Sequence, residues 1–354
     1  MSRIKAVGEL GQQIWFDSIS HQLIASGELA RLIAEDGVAG VTSNPAIFQQ
    51  AFSRDPSYAQ AKALLPADLT DPEKRFEALA IPDIQAACDA FAELYRTSGG
   101  NKGFVSFEVS PSLSHDAVGT LAAAKRLWAA IDRPNAMIKI PATREGLFAI
   151  RQATAAGINV NVTLMFSPAH VDAVARAHAD GLLDRVAAGL PVAAIRSVAS
   201  VFISRLDSKL DPQLPEPLQG RIAVAAAQLA YDEWKKHWGP EGDRFAPLAA
   251  KGACPQWLLW ASTGTKNPLY RDVLYVEQLI GPDTVNTVPE ATLAAFRDHG
   301  EAHPTLSANP TGARAALDQA KKLGIDLDAV GEVLQQEGLV QFEQAFAKLL
   351  ESVL

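Results

Sequence analysis

A lysine within an apolar segment is the first candidate for chemistry in this sequence. Lys139 lies in AMIKIPA, where strand alternation puts it on the face of Met137 and puts the two flanking isoleucines on the other face. Lysines are seldom buried without a partner, so the simplest interpretation is a strand-end lysine that reaches solvent or pairs with an acid. The functional interpretation is a nucleophile, because desolvation disfavours the ammonium form and a neutral amine can attack a carbonyl carbon.

Two carboxylates occupy similar apolar segments. Glu108 lies in GFVSFEVS between two apolar neighbours, and Asp17 lies in IWFDSI on the face of Trp15 and Ile19. Either one alone could belong to a structural ion pair, since a carboxylate in such surroundings is costly unless it is paired or hydrogen-bonded. All three ionisable residues lie toward the carboxyl ends of their segments, where α/β-barrel enzymes keep their chemistry. Together they favour acid–base chemistry beside a reactive amine.

A row of polar residues marks a third segment. In INVNVTLMF, one face carries Asn159, Asn161 and Thr163, and the other face is apolar. A strand this apolar is expected to be buried on both sides, so the polar face must find its hydrogen bonds in an enclosed space. A satisfied polar layer inside a barrel and a ligand site both remain open.

Other motifs are weak. The turn STGTK, from Ser262 to Lys266, carries hydroxyls and backbone N–H groups that could hold an anion, but taken alone it is an ordinary polar turn. The seven histidines contain no HExxH motif, and neither GxGxxG nor GxxxxGK[ST] occurs. We therefore predict no metal site and no nucleotide cofactor.

Eight short apolar segments would position these residues, and most are followed by a helix-like segment. This alternation predicts parallel βα units, and eight of them favour a closed (β/α)8 TIM barrel, an α/β fold, over an open sheet. The predicted strands are residues 14–19, 38–45, 103–110, 136–142, 158–166, 195–204, 256–263 and 284–289.

Helix signals fit between these strands. Ser167 followed by Pro168 predicts a cap and the first helical position of a long helix. Residues 53–80, which are charged and contain prolines, are expected to form an insertion over the surface. We predict one domain over residues 1–354, with additional helices after the second and eighth strands and a C-terminal helical extension at about 305–354 that packs on the barrel rim or reaches a partner.

Composition narrows the class of partner. The 354-residue chain has a net charge of −8, which argues against nucleic acid or an anionic membrane but not against anionic substrates that meet a local basic pocket. The two cysteines do not make a disulfide framework. Neither a signal-peptide core nor an apolar run of about 18 residues is present, so we predict a cytoplasmic protein.

The motifs containing these residues resemble the transaldolase family from about residue 14 to residue 289. They are, in order, WFDSIS, TSNPAIF, SFEVSP, IKIPAT, NVTLMFS and SVFISRLD. The resemblance is to the longer bacterial branch. It implies an eight-stranded α/β barrel without metal or cofactor that moves a dihydroxyacetone unit between sugar phosphates in the non-oxidative pentose phosphate pathway.

The resemblance also implies a role for individual residues. Lys139 would form the Schiff base, Asp17 would be the acid–base carboxylate, and Glu108 with Thr163 would position a catalytic water. The residues implied to bind substrate are Asn44 and Asn161 at its hydroxyls, Ser200 and Phe202 along the wall, and Arg205 at its phosphate.

Two departures from the family pattern concern phosphate binding. Shorter members carry a second arginine after the seventh strand, where this chain reads ASTGTKNP, so Lys266 or the loop backbone from Ser262 must substitute. Ser204 stands where a glycine is common. These departures leave the second phosphate contact open.

Two rival functions and two kinds of partner are also considered. Fructose-6-phosphate aldolases share the fold and the lysine but carry glutamine and tyrosine at the positions of Glu108 and Phe202, and a silent sugar-phosphate-binding barrel is the rival from another class. In the branch that the chain resembles, this domain is sometimes fused to glucose-6-phosphate isomerase. The partners considered besides sugar phosphates are therefore a second copy of the chain and that isomerase.

Overall fold

Eight parallel strands close into a barrel in the computed structural model, which describes residues 2–239, 242 and 245–354. Each strand pairs with the next along the chain and the last pairs with the first, so the predicted (β/α)8 barrel is confirmed. The strands are β1 (Gln12–Phe16), β2 (Gly40–Val41), β3 (Phe104–Glu108), β4 (Ala136–Pro141), β5 (Val160–Met165), β6 (Ser197–Phe202), β7 (Trp257–Ala261) and β8 (Thr284–Val288).

Helices follow the strands and surround the barrel. The α-helices of the described residues are α1 (Arg3–Glu9), α2 (His21–Ala25), α3 (Glu28–Arg31), α4 (Pro45–Arg54), α5 (Ser57–Ala63), α6 (Pro72–Ala90), α7 (Ala92–Thr97), α8 (Ala117–Ile131), α9 (Arg144–Ala155), α10 (Pro168–Ala187), α11 (Ser204–Leu210), α12 (Ile222–Trp238), α13 (Phe245–Ala249), α14 (Leu274–Glu277), α15 (Glu290–His299), α16 (Pro310–Lys322) and α17 (Leu327–Ser352). In the described part of the chain, none is long and apolar enough to cross a membrane.

Strand register aligns the inward-facing residues in one layer. Glu108 of β3 lies opposite Lys139 of β4, which in turn lies opposite Asn161 of β5. Alternation sends the next residue of each strand to the outer face, so the three polar side chains share the barrel interior at one level. The pairing of β5 with β6 becomes irregular between Val162 and Met165.

The predicted start of the long helix after β5 is confirmed. The Ser167 hydroxyl accepts a hydrogen bond from the His170 backbone N–H at 3.3 Å, and α10 begins at Pro168. Proline suits this first position, because its missing N–H would have no partner within the helix and its φ is already helical.

The expectation that residues 53–80 only cover the surface is wrong for its second half. Helix α6 begins at Pro72 and occupies the barrel position between β2 and β3. Its Phe76 is buried, and the Phe76 ring centroid lies 5.8 Å from that of Phe107 on β3. The charged residues that suggested a surface insertion lie around this apolar stripe, because a helix that covers a barrel needs apolar residues on one face only.

The last helix packs across the carboxyl ends of β4 and β5. Gln335 of α17 donates from Nε2 to the carbonyl oxygens of Ala142 and Leu164, both at 3.0 Å. Farther along α17, the ring of Phe346 lies 5.8 Å from that of Phe76. The C-terminal helices therefore pack on the barrel rim, which is one of the two arrangements predicted for them.

Candidate active site

Lys139 is buried at the centre of the barrel mouth. Its side chain is 6 % exposed, and its Nζ donates to the backbone carbonyl of Ser43 at 3.1 Å. The Nζ also lies 3.4 Å from Oε2 of Glu108. The interpretation of Lys139 as a strand-end lysine that reaches solvent is therefore wrong, and its acidic partner is a buried residue of the neighbouring strand.

Glu108 is a buried carboxylate whose proton affinity is strongly altered. Burial raises the pKa of Glu108 to about 7, against the opposing charge of the nearby Lys139. Its Oε2 and the Oγ1 of Thr163 are buried without a hydrogen-bond partner among the described residues. Buried polar atoms without a protein partner are commonly satisfied by ordered water, which fits the predicted water-positioning role of this pair.

Asp17 is held by a short chain of hydroxyl groups. Thr42 Oγ1 donates to Asp17 Oδ1 at 2.7 Å and lies 2.5 Å from Thr287 Oγ1. Because Thr42 has one hydroxyl proton and gives it to the carboxylate, Thr287 donates to Thr42. Burial raises the pKa of Asp17, while the Thr42 hydrogen bond and the charges of Lys139 and Lys266 act in the opposite direction.

The polar face of β5 divides into a part beside the cavity and a part at the other end of the strand. Asn161 donates from Nδ2 to Ser106 Oγ at 2.9 Å and accepts at Oδ1 from Ser200 Oγ at 2.7 Å. Asn159 instead donates to backbone carbonyls at the other end of the strand and accepts from the Arg196 backbone N–H. A satisfied polar layer thus includes both Asn159 and Asn161, and of this face Thr163 lines the cavity.

The two polar atoms of the Asn44 side chain differ in their contacts. Its Oδ1 accepts from the Ile47 backbone N–H at 3.0 Å, which caps α4. Its side-chain amide nitrogen has no protein acceptor in the described part of the chain, and the residue lines the same cavity as Lys139. The amide therefore stays available as a hydrogen-bond donor.

Arg205 is a partly buried cation without an acidic partner within the described residues. Its guanidinium carbon lies 5.0 Å from the centroid of the Phe202 ring, and its Nη1 is buried without an acceptor. Asp207, two residues farther along the chain, accepts instead from the Ala223 backbone N–H and the Tyr275 hydroxyl, each at 2.8 Å. The arginine is thus available to an anion in the cavity.

The loop after β7 lies at the same end of the cavity. Ser262 Oγ is 2.9 Å from Ser204 Oγ, so the serine at the position where a glycine is common contacts this loop directly. Ser262 has a φ of 56°, a left-handed conformation that is uncommon for a residue other than glycine. Lys266 is exposed and also lines the cavity.

These residues enclose one cavity of about 170 Å³. Its predicted lining residues are Asp17, Asn44, Lys139, Thr163, Ser200, Phe202, Arg205, Ser262 and Lys266. Glu108 and Asn161 lie behind this wall, in contact with Lys139 and Ser200 respectively. The barrel thus brings together every residue that the sequence singled out for the site.

Several lining residues were not predicted. They are Thr42, Leu259, Ala261, Gly264, Thr287, Pro289 and Phe342. Thr42 precedes Asn44 by two residues within the segment 38–45 that was predicted as a strand, so alternation along that segment could have identified it. Phe342 belongs to α17, and no local pattern connects it with the strands.

No group of three or more His, Cys, Asp or Glu residues in the described ranges could hold a metal ion.

Comparison with known proteins gives a consistent result. The family model described as Transaldolase/Fructose-6-phosphate aldolase matches residues 14–353. A transaldolase of Thiobacillus denitrificans is 48 % identical over 100 % of both chains, and one of Neisseria gonorrhoeae is 51 % identical over 99 % of both. Transaldolase 1 of Streptomyces coelicolor is 44 % identical, with 99 % of this chain and 93 % of the relative covered.

Proposed function

Because this chain belongs to the transaldolase/fructose-6-phosphate aldolase family, we propose that Lys139 carries a dihydroxyacetone unit from one sugar phosphate to another as a Schiff base. The activity is that of a transaldolase, a transferase of aldehyde and ketone residues, and relatives of that name match over nearly their full length. The observation that carries the assignment to Lys139 is its burial against Glu108 at the mouth of the barrel. Donors are sedoheptulose 7-phosphate or fructose 6-phosphate, and acceptors are glyceraldehyde 3-phosphate or erythrose 4-phosphate, as in the non-oxidative pentose phosphate pathway.

Schiff-base formation needs an amine and a proton donor side by side. The Lys139 amine attacks the ketose carbonyl, and loss of water from the adduct leaves an iminium ion. Glu108, with a pKa of about 7, can both give and take a proton near neutral pH. A water held by Glu108 Oε2 and Thr163 Oγ1 would relay those protons, since both oxygens are buried without a hydrogen-bond partner among the described residues.

Carbon–carbon cleavage needs a base on the departing hydroxyl group. The iminium ion draws electrons from the adjacent bond, the aldehyde leaves, and Asp17 takes the hydroxyl proton. Thr42 occupies Oδ1 of Asp17, which leaves Oδ2 as the oxygen that faces the substrate proton. The iminium charge would add to that of Lys266 and favour the ionised carboxylate. The three carbons that remain on Lys139 form an enamine until an acceptor aldehyde arrives.

The remaining polar residues would hold the sugar. We assign the substrate hydroxyls to Asn44, Asn161 and Ser200, since Asn44 and Ser200 line the cavity and Asn161 is hydrogen-bonded to Ser200. We assign the phosphate to Arg205, supported by its buried Nη1 without an acceptor within the described residues. Ser262 and Lys266 would complete that end of the site in place of a second arginine.

The rival functions fit the observations less well. Release of free dihydroxyacetone, as in fructose-6-phosphate aldolases, requires a group that organises water at the enamine. The resemblance associates that activity with glutamine and tyrosine at the positions where this chain has Glu108 and Phe202. A silent binder would have no use for a buried lysine and two buried carboxylates around one cavity, because each is costly to enclose.

Other features of the function stay predictions. We propose that residues 1–354 act as one domain, supported by the packing of the 305–354 extension on the barrel through Gln335. We keep a homo-oligomer and an association with glucose-6-phosphate isomerase as proposals, which gel filtration alone and with added isomerase would test. The cytoplasmic location also rests on sequence.

Borohydride trapping tests the proposal directly. The protein is incubated with fructose 6-phosphate, reduced, digested and examined by mass analysis. We expect a three-carbon adduct on Lys139. An adduct on another lysine, or none, would overturn the proposal, and Lys102, which is not part of the cavity, serves as the internal control.

A further inference from the structure

Helix α17 contributes an aromatic side chain to the reaction cavity. Phe342 is buried and lines the same cavity as Asp17 and Arg205. The centroid of its ring lies 5.7 Å from Nζ of Lys139, within the range of an attractive contact between a cation and an aromatic face. A ring at this distance lies close to any group bound covalently to that nitrogen.

The position of Phe342 is set by tight packing of α17 on the barrel. Gln335 donates to two carbonyl oxygens at the carboxyl ends of strands β4 and β5, and both hydrogen bonds are buried. Gly338, one turn before Phe342, approaches so closely that an added Cβ would lie 2.8 Å from Leu164 Cδ2. The helix is therefore held against the mouth by directional hydrogen bonds and by close packing at Gly338.

The chemistry proposed above gives the enamine on Lys139 two fates. It can attack an acceptor aldehyde, which forms a carbon–carbon bond and completes transfer. Alternatively, its carbon can take a proton from water to regenerate an iminium ion, which a second water hydrolyses to free dihydroxyacetone and the lysine amine. The second route consumes only water, so its rate depends on the access of water to the adduct.

We propose that Phe342 determines the partition between transfer and release by covering the Lys139 adduct and excluding water from it. The ring is apolar and offers no donor or acceptor to organise a water molecule there. Phe202 supplies an apolar face on β6, and Phe342 supplies one from the helix that covers the mouth. Since the inference rests on the proposed Schiff-base transfer, its test must separate the two.

A purely structural role of Phe342 makes a different prediction. A core phenylalanine that only stabilises α17 would, when truncated, lower the melting temperature and reduce both reactions in parallel. A residue that excludes water changes their ratio. The ratio of the two rates is therefore the informative quantity.

The experiment compares Phe342→Ala, Phe342→Leu and the control Val340→Ala, a half-exposed position on the same helix. Dihydroxyacetone release from fructose 6-phosphate is measured without acceptor, and transfer is measured with erythrose 4-phosphate. We expect Phe342→Ala to raise the ratio of release to transfer by roughly tenfold. Phe342→Leu, which restores most of the volume, should give a smaller rise, and Val340→Ala should leave the ratio unchanged.

Borohydride trapping in every variant distinguishes failure of this inference from failure of the proposed function. Absence of an adduct on Lys139 in the unmodified protein would contradict the function itself. A normal adduct together with an unchanged ratio in both Phe342 variants would overturn the role of Phe342 alone. If the alanine variant does not fold, the leucine variant carries the same test.

Discussion

Lys139 Nζ and Glu108 Oε2 lie 3.4 Å apart on adjacent strands, enclosed by the barrel. Neither side chain could be buried alone at low cost, because an unpaired charge in such surroundings is strongly unfavourable. Lys139 of this pair also lines the cavity of about 170 Å³. This relationship supports the first prediction.

The Glu108 carboxyl is expected to control the pH dependence of Schiff-base formation. Burial raises its pKa from 4.5 to about 7, so its protonated form, the proton donor for loss of water, declines as the pH rises through neutrality. The rate of borohydride-trapped adduct formation should therefore fall on the alkaline side with an inflection near pH 7. Glu108→Gln should lower the rate and remove that inflection.

The same shift links Glu108 to stability. The folded protein binds this proton more tightly than the unfolded chain, so its contribution to the free energy of unfolding is fully present below about pH 4.5 and is lost as the pH rises through about 7. Denaturant unfolding of Glu108→Gln should show a flatter pH dependence across that window. The raised pKa of Glu108 would be contradicted if Glu108→Gln changed neither the pH inflection of adduct formation nor the pH dependence of the free energy of unfolding.

Asp17→Asn should separate Schiff-base formation from carbon–carbon cleavage. The substitution keeps the side-chain shape but removes the base that accepts the hydroxyl proton. We expect the trapped adduct to form while the cleavage rate falls by roughly 10²–10⁴-fold, the usual contribution of a positioned base. Single-turnover assays of aldehyde release measure this rate. Asp298→Asn, an exposed position, is the matched control, and near-normal cleavage in Asp17→Asn would show that another group is the base.

Phe202 and Glu108 predict that the three-carbon intermediate outlives departure of the aldehyde. With fructose 6-phosphate alone, turnover should stall near one equivalent of aldehyde per site, because the phenyl ring of Phe202 offers no hydroxyl to organise water at the enamine. Addition of erythrose 4-phosphate should release the unit as sedoheptulose 7-phosphate. Continuous production of dihydroxyacetone without acceptor would identify an aldolase instead.

Arg205→Ala should reduce activity selectively toward phosphorylated acceptors. Loss of a desolvated charge contact costs about 2–5 kcal/mol, so kcat/KM for glyceraldehyde 3-phosphate should fall accordingly. Unphosphorylated glyceraldehyde should be nearly unaffected. Lys266→Ala should show a smaller loss of the same selectivity, because Lys266 is exposed and its charge is screened by solvent.

The control for these two variants is Arg151→Ala, which removes an outer arginine paired with Asp184 on the neighbouring helix. Its kcat/KM should be normal with both acceptors. Equal losses on phosphorylated and unphosphorylated acceptors in Arg205→Ala would show that Arg205 supports the structure rather than the phosphate.

Sequence alone determined which side chains share a face of each strand. Alternation showed which neighbours share a strand face with Glu108, Lys139 and Asn161, because side-chain direction in an extended chain is a local property. Repetition of apolar runs and helical segments predicted the barrel, which strand pairing then confirmed. The position of Asp17, Glu108 and Lys139 toward the carboxyl ends of their segments indicated the site, since the strands of a barrel all end at the same rim. Asn44, Ser200, Phe202 and Arg205 were identified only through the family resemblance.

Only the tertiary structure decided which groups meet. Asn159 and Asn161 are equivalent in alternation, yet they lie at different depths in the barrel. Asn159 is hydrogen-bonded to backbone groups, and Asn161 is hydrogen-bonded to Ser200, which lines the cavity. Thr287 reaches Thr42 only because the barrel closes and brings β8 beside β1, which has β2 on its other side. Phe342 joins Lys139 because α17 folds back over the mouth. Contacts of this kind depend on packing between segments that are distant in the sequence. Their energy comes from shape complementarity and burial, which no local periodicity of the sequence reveals.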